Sequence, residues 1–197
     1  MKNFMKTFAL GLIVVFMFSS CAKQPTQAMD AAKAAIEAVV QEGGNVYTKD
    51  ELKKLNDDLT AAMDEVNAQS KKFFKKYGKA KELLAAIATE AETVKALVPA
   101  RKDEAKNAAL TVQTEAKAAV DEAKALLEKA PKGKGTKADI EAMKADLAGL
   151  ETSLTEIQTA IDGQDYFGAK DKATAIKDKA VGISDQIKAA MEKVKGR

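Results

Sequence analysis

Histidine and tryptophan are absent from this 197-residue chain, and cysteine occurs only once. Without histidine the chain lacks the side chain most used for proton transfer near neutral pH and the commonest metal-ligating imidazole. Haem attachment through Cys-x-x-Cys-His is excluded outright. A single cysteine cannot close an internal disulfide, so stability must come from packing. Aromatic residues make up 5% of the chain, and four of the seven Phe lie within the first 20 residues. The remainder must build a thin core from Ala, Leu, Ile and Val. No apolar run approaches the ~20 residues that a transmembrane helix needs; the longest, Phe8–Phe18, has eleven. These absences leave no arrangement for catalysis, so the expectation is a protein that is not an enzyme and holds no cofactor and no metal.

What is present begins with a leader. Lys2 and Lys6 form a basic head, Phe8–Phe18 an apolar core, and Ser19 and Ser20 small residues ahead of Cys21. This order is that of a secretory signal peptide over residues 1–20. Phe18-Ser19-Ser20-Cys21 resembles the lipobox of bacterial lipoproteins, with Phe18 where the pattern prefers Leu. The resemblance implies that Cys21 is the lipid-attachment residue and the new N-terminus. Ala22, rather than Asp, after the cysteine implies the periplasmic face of the outer membrane, with the lipid as the membrane contact. Ordinary signal-peptidase cleavage after Ala22 is the alternative. It has small residues at Ser20 and Ala22 and would release a soluble periplasmic chain starting at Lys23. Removing Lys2 and Lys6 leaves 30 basic residues against 29 acidic ones. So balanced a chain gives no electrostatic reason to expect nucleic acid as a partner.

The body reads as helix throughout. Ala, Lys, Glu and Leu dominate, as in long helices and coiled coils. After a tether over residues 21–26, Met29, Ala32, Ile36, Val39 and Val40 form one apolar stripe that ends at Gly43-Gly44-Asn45. Thr48-Lys-Asp-Glu51 has the spacing of a capping box. Behind it, Leu52, Leu55, Leu59, Ala62, Val66, Gln69 and Phe73 step by three and four. Gly78 suggests a break near Tyr77, before a helix through Ala80, Leu84, Ile87, Ala91 and Val94. Pro99 is compatible with a turn or with a kink. Ala105, Ala109, Val112, Ala116, Ala119, Ala123, Leu126 and Ala130 give the next segment a seam of mostly alanine. Pro131–Thr136 reads as a loop, Thr136–Asp139 as a second cap, and Gly163-Gln164 as the turn between two final helices.

Thr48 and Thr136 lie 88 positions apart, and at that offset Leu52, Leu55 and Leu59 meet Ile140, Met143 and Leu147. With one extra residue at the turn, Tyr77, Ala80, Ile87 and Val94 meet Tyr166, Ala169, Ile176 and Ile183. An internal duplication explains the paired Thr and Tyr residues better than chance alignment of two heptad patterns. The expected fold is therefore all-α: an elongated antiparallel helical bundle with coiled-coil-like helices and a duplicated hairpin. Residues 27–130 would hold the first hairpin and an Ala-rich linking helix, and residues 136–197 the second hairpin. The lipid-type cysteine, the Ala-rich first helix, Tyr77-x-x-Ala80-Lys81 and Asp165-Tyr166-x-x-Ala169 together resemble an uncharacterised bacterial envelope lipoprotein family with an Ala-rich helical domain of unknown function. The resemblance implies an envelope lipoprotein and carries over no catalytic residue.

Most of the charge reads as a solvated helix surface, including Asp57-Asp58 and Glu90/Glu92. Lys-Gly-Lys-Gly-Thr136 lacks the spacing of a phosphate-binding loop. One local feature stands out: Lys71, Lys72, Lys75 and Lys76 surround Phe73-Phe74 just before Tyr77. Either Phe73 and Tyr77 close the end of the bundle while the lysines snorkel, or the cluster contacts an anionic surface. If every turn, Pro99 included, reversed the chain, this cluster, the lipid-bearing start, Lys132/Lys134 and the basic tail would share one end. The leading functional expectation is a lipid-anchored structural or interaction protein that docks an envelope protein partner. The alternative is a periplasmic chaperone or binding module holding apolar segments between its helices. Heptads also serve self-association, so a homo-oligomer is compatible with the pattern.

Overall fold

The computed structural model describes residues 23–130 and 137–195. The described residues form six α-helices and no strand: α1 (Thr26–Glu42), α2 (Gly44–Tyr47), α3 (Lys49–Ser70), α4 (Gly78–Glu128), α5 (Lys137–Asp162) and α6 (Tyr166–Lys195). The protein is an all-α helical bundle. No helix among the described residues is long and apolar enough to cross a membrane.

The chain divides into two compact units between Val98 and Pro99. The boundary falls inside α4, which runs helically through Pro99. The chain reversal considered for Pro99 is therefore absent. The proline ring deprives the carbonyl four residues back of its helical partner, yet the Val98 side chain just ahead is 1% exposed, anchored by packing. Residues 99–130, read from the sequence as an Ala-rich linking helix after the first hairpin, fall within the second unit.

Within the first unit, α1, α3 and the start of α4 share one core, with Ala32, Ile36, Val39, Leu55, Ala62, Val66, Leu84 and Ala91 all buried. The direction of α4 follows from its neighbours. Glu90 accepts a hydrogen bond from Lys54 Nζ at 2.8 Å, and Val98 approaches Gly43 at the end of α1. The three helices thus run up, down and up, with residues 25 and 77–80 at one end and the Gly43 turn at the other.

The second unit repeats this course. Glu115 and Glu122 of α4 accept hydrogen bonds from Lys177 and Lys188 of α6, so these helices run parallel. Glu151 of α5 accepts one from Lys124, and Gln158 of α5 accepts one from Gln113, which places α5 antiparallel to α4. Tyr77, Ala80, Leu84, Ile87, Ala91, Val94 and Val98 are buried, and so, 89 positions on, are Tyr166, Ala169, Ala173, Ile176, Ala180, Ile183 and Ile187. Pro25, Ala32 and Val39 have buried counterparts 88 positions on at Gln113, Val120 and Leu127. The recurring pattern is a three-helix unit, with the Ala-rich segment standing where α1 stands in the first.

Two local expectations change. Thr48 precedes α3 as its cap residue but makes no side-chain capping bond. Its buried hydroxyl instead donates to the Gly44 carbonyl at 3.2 Å, because α2 places that acceptor one turn behind. The cap expected at Thr136 lies outside the described residues. In α4 the seam keeps Ala109, Ala116 and Ala123 but joins to them Gln113, Val120 and Leu127, with Val112, Ala119 and Leu126 only half-buried. An apolar-only pattern passes over Gln113, whose amide is satisfied across the seam by Gln158 Oε1 at 3.1 Å.

The turn between α1 and α3 is the tightest point of the first unit. Gly43 has φ 106° and its amide donates to the carbonyls of Val39 and Val40. A methyl on Gly44 would meet the Val39 carbonyl oxygen at 2.7 Å and Thr48 Oγ1 at 3.0 Å. Gly44→Ala should therefore lower stability by about 1–3 kcal/mol. Chemical denaturation should show this as a lower midpoint with an unchanged slope.

Candidate functional site

The cluster at residues 71–76 owes its shape to the end of α3. Ser70 Oγ donates to the Asn67 carbonyl at 2.7 Å, a local bond that competes with continued helix. Four lysines in six residues then supply mutual repulsion with no carboxylate among them. The helix stops at Ser70, short of the expected seam position Phe73, and α4 begins at Gly78. In the second unit the corresponding connection is only Gly163–Asp165. There Asp165 Oδ1 caps α6 by accepting from the Gly168 amide at 3.0 Å, and Gln164 takes a positive φ of 62°. The longer connection is peculiar to the first unit.

Lys71, Lys72, Lys75 and Lys76 are all exposed and lie on this one segment, so the structure brings these four site residues together. Cys21 lies outside the described residues, as do Lys132, Lys134 and Arg197. Closure of the bundle end divides between the two aromatic positions. Tyr77 is 3% exposed and plugs the core, whereas Phe73 and Phe74 are 93% and 78% exposed. Their rings meet edge to face, with centroids 5.0 Å apart. Such a pair gains a little from its own contact, yet it leaves nearly two full aromatic surfaces in water. The expectation that Phe73 helps close the bundle is thus corrected, because the helix that would have turned it inward ends three residues earlier.

Elsewhere several charged groups pair with one another along and between the helices. Lys54 bridges Asp58 and Glu90, each at 2.8 Å, and these two carboxylates hold its ammonium well above the ordinary lysine range. Lys124, Lys177 and Lys188 are raised in the same direction by hydrogen bonds to Glu151, Glu115 and Glu122. These pairs stitch helix to helix at the surface, where each contributes little. No group of three acidic or cysteine side chains able to hold a metal occurs among the described residues. A shallow open groove of about 550 Å³ between α1 and α4 is lined by Ala31, Ala34, Ala35, Ala38, Ala88, Thr89 and Glu92. It offers a ligand methyl groups and little else. The exposure of Phe73 was not legible from a seam that placed it in register with Leu52 and Val66; the run of lysines was the available signal.

No family model, curated protein or solved structure matches the chain.

The different burial of the aromatic residues has a direct consequence for stability. Replacing Phe73 and Phe74 together by Ser should change stability by no more than about 0.5 kcal/mol, as for other surface positions. Tyr77→Ala should cost about 3–5 kcal/mol, as for loss of a large core aromatic. Thermal unfolding of the two variants beside the parent chain separates these outcomes.

Proposed function

We propose that this protein is a lipid-anchored structural or interaction component of the bacterial envelope, held at the periplasmic face of the outer membrane by an acylated Cys21 and without catalytic activity of its own. The observation that carries the reading is the position of the folded body relative to the leader. Pro25 is already buried and α1 begins at Thr26, so only Ala22, Lys23 and Gln24 separate Cys21 from the first core residue. A chain of that length reaches roughly 13 Å, which would hold the bundle against the membrane.

Two further features support a scaffold over a chaperone. The seams of both units are filled by the chain's own residues, with Leu55, Leu84, Val98, Val120, Ile157 and Ile187 among the most deeply buried. Exposed apolar side chains such as Val46, Leu110 and Val181 are scattered along different helices, as on ordinary protein surfaces. The partner in this reading is an envelope protein that docks on the outer helix faces, and the resemblance to envelope lipoproteins points the same way.

The test is the intact mass and membrane fractionation of the native protein and of its Cys21→Ala variant. The expected result is a mass carrying acyl chains on a protein starting at Cys21, sedimenting with the outer membrane, and loss of processing in the variant. An unmodified chain beginning at Lys23 in the soluble periplasm would contradict the anchor.

A further inference from the structure

We propose that residues 71–76 are an interfacial foot, with Phe73 and Phe74 entering the headgroup region of an anionic lipid bilayer while Lys71, Lys72, Lys75 and Lys76 pair with its phosphates. The inference deepens the membrane-anchored reading and rests on it for its setting, but its chemistry is independent of the lipid on Cys21.

Three observations converge on it. First, the segment joins the two ingredients of interfacial binding, apolar rings and surrounding cations, at a point where neither is used by the fold. Phe73 and Phe74 are 93% and 78% exposed, and none of the four lysines forms an ion pair among the described residues, unlike Lys54, Lys124 and Lys188. Second, the charge is of one sign over the whole end of the unit. Between Glu65 and Glu82 the sequence has six lysines and no carboxylate, and Lys23, at the same end, is also exposed. Third, the topology sets this loop at the end where the chain emerges. α4 climbs from Tyr77 to reach the Gly43 turn at Val98, and α1 climbs from Pro25 to the same turn, so Pro25 and Tyr77 share the opposite end. α3 is five residues longer than α1, with 22 against 17. At the usual rise this carries the loop about 8 Å past the start of α1, toward any surface that holds Cys21. The matching connection in the second unit, Gly163–Asp165, has neither the lysines nor the aromatic pair.

An anionic bilayer fits better than an anionic polymer because of the rings. Phosphate-rich polymer would satisfy the lysines but would leave Phe73 and Phe74 in water.

The chain contains no Trp, which gives a clean probe. Phe73→Trp, in the chain from Ala22 onward that retains both cores, places a sole indole at an exposed position. Its emission should shift to the blue on phosphatidylglycerol–phosphatidylcholine vesicles and stay unshifted on pure phosphatidylcholine. Adding Lys→Gln at positions 71, 72, 75 and 76 should weaken vesicle binding several hundred-fold, at about fivefold (~1 kcal/mol) per lysine. In the parent chain, Phe73→Ser with Phe74→Ser should weaken it at least about tenfold. Absence of a blue shift on anionic vesicles would overturn the proposal. So would an equal shift on neutral vesicles that survives loss of the lysines, or binding to a soluble anionic polymer with the vesicles ignored. Because this chain carries no lipid, its failure leaves the acylation of Cys21 standing, and an unmodified native Cys21 leaves the vesicle result standing.

Discussion

Close approach of helices through alanine is the contact on which the rest of this protein depends. With so few aromatic residues and no disulfide, each unit must gain its stability from many small dispersion contacts. Such contacts count only where backbones come near one another, which small side chains at the seam allow. Ala32, Ala62, Ala80, Ala91, Ala109, Ala116, Ala123, Ala169, Ala173 and Ala180 all lie within the cores, each with no exposed surface. Leu, Ile and Val fill the spaces between these layers, and Tyr77 and Tyr166 close one end of each unit. A lysine or glutamate beside each seam then reaches across the narrow gap, as Lys54 does to Glu90 and Lys188 does to Glu122.

The same constraint shapes what is left between and outside the helices. Among the described residues the seams are filled by side chains, and the Ala-lined groove between α1 and α4 is shallow and open. Buried side-chain polar atoms among the described residues all have partners. The large apolar groups left in water lie on helix faces and in the connection before α4. Phe73 and Phe74 of the basic aromatic loop are the most exposed large apolar side chains among the described residues, and the loop stands at the end from which the chain leads back toward Cys21.

The helical pattern was legible because period and breaker agreed. Ala80, Leu84, Ile87, Ala91 and Val94 could be read as one face, and Gly43 and Gly163 as its interruptions. The matched Tyr77 and Tyr166 disclosed a repeat. The extent of the repeat was hidden, since α4 crosses from one unit to the next without a break, and Pro99 looks like a boundary signal in a place where packing on Val98 overrides it. Gln113 was passed over because a polar residue on a seam gives no periodic signal, although its amide meets Gln158 inside the interface. Phe73 was misplaced for the opposite reason: its spacing from Leu52 and Val66 fits a seam that the helix abandons at Ser70. At the candidate site, the lysines could be named from the sequence, but the outward turn of both rings required the structure.

The central claim, that alanine-lined seams are closed in both units, is tested most directly by enlarging one alanine in each. Ala91→Leu and Ala180→Leu place three extra carbons where two helices meet, with Ala85→Leu on the exposed face of α4 as the control. Equilibrium unfolding should show a loss of about 1–3 kcal/mol at each buried position and no more than about 0.5 kcal/mol of change at Ala85. Unchanged or increased stability at Ala91 and Ala180 would mean that the seams are open, and the account of a closed scaffold with its contacts at the surface would be contradicted.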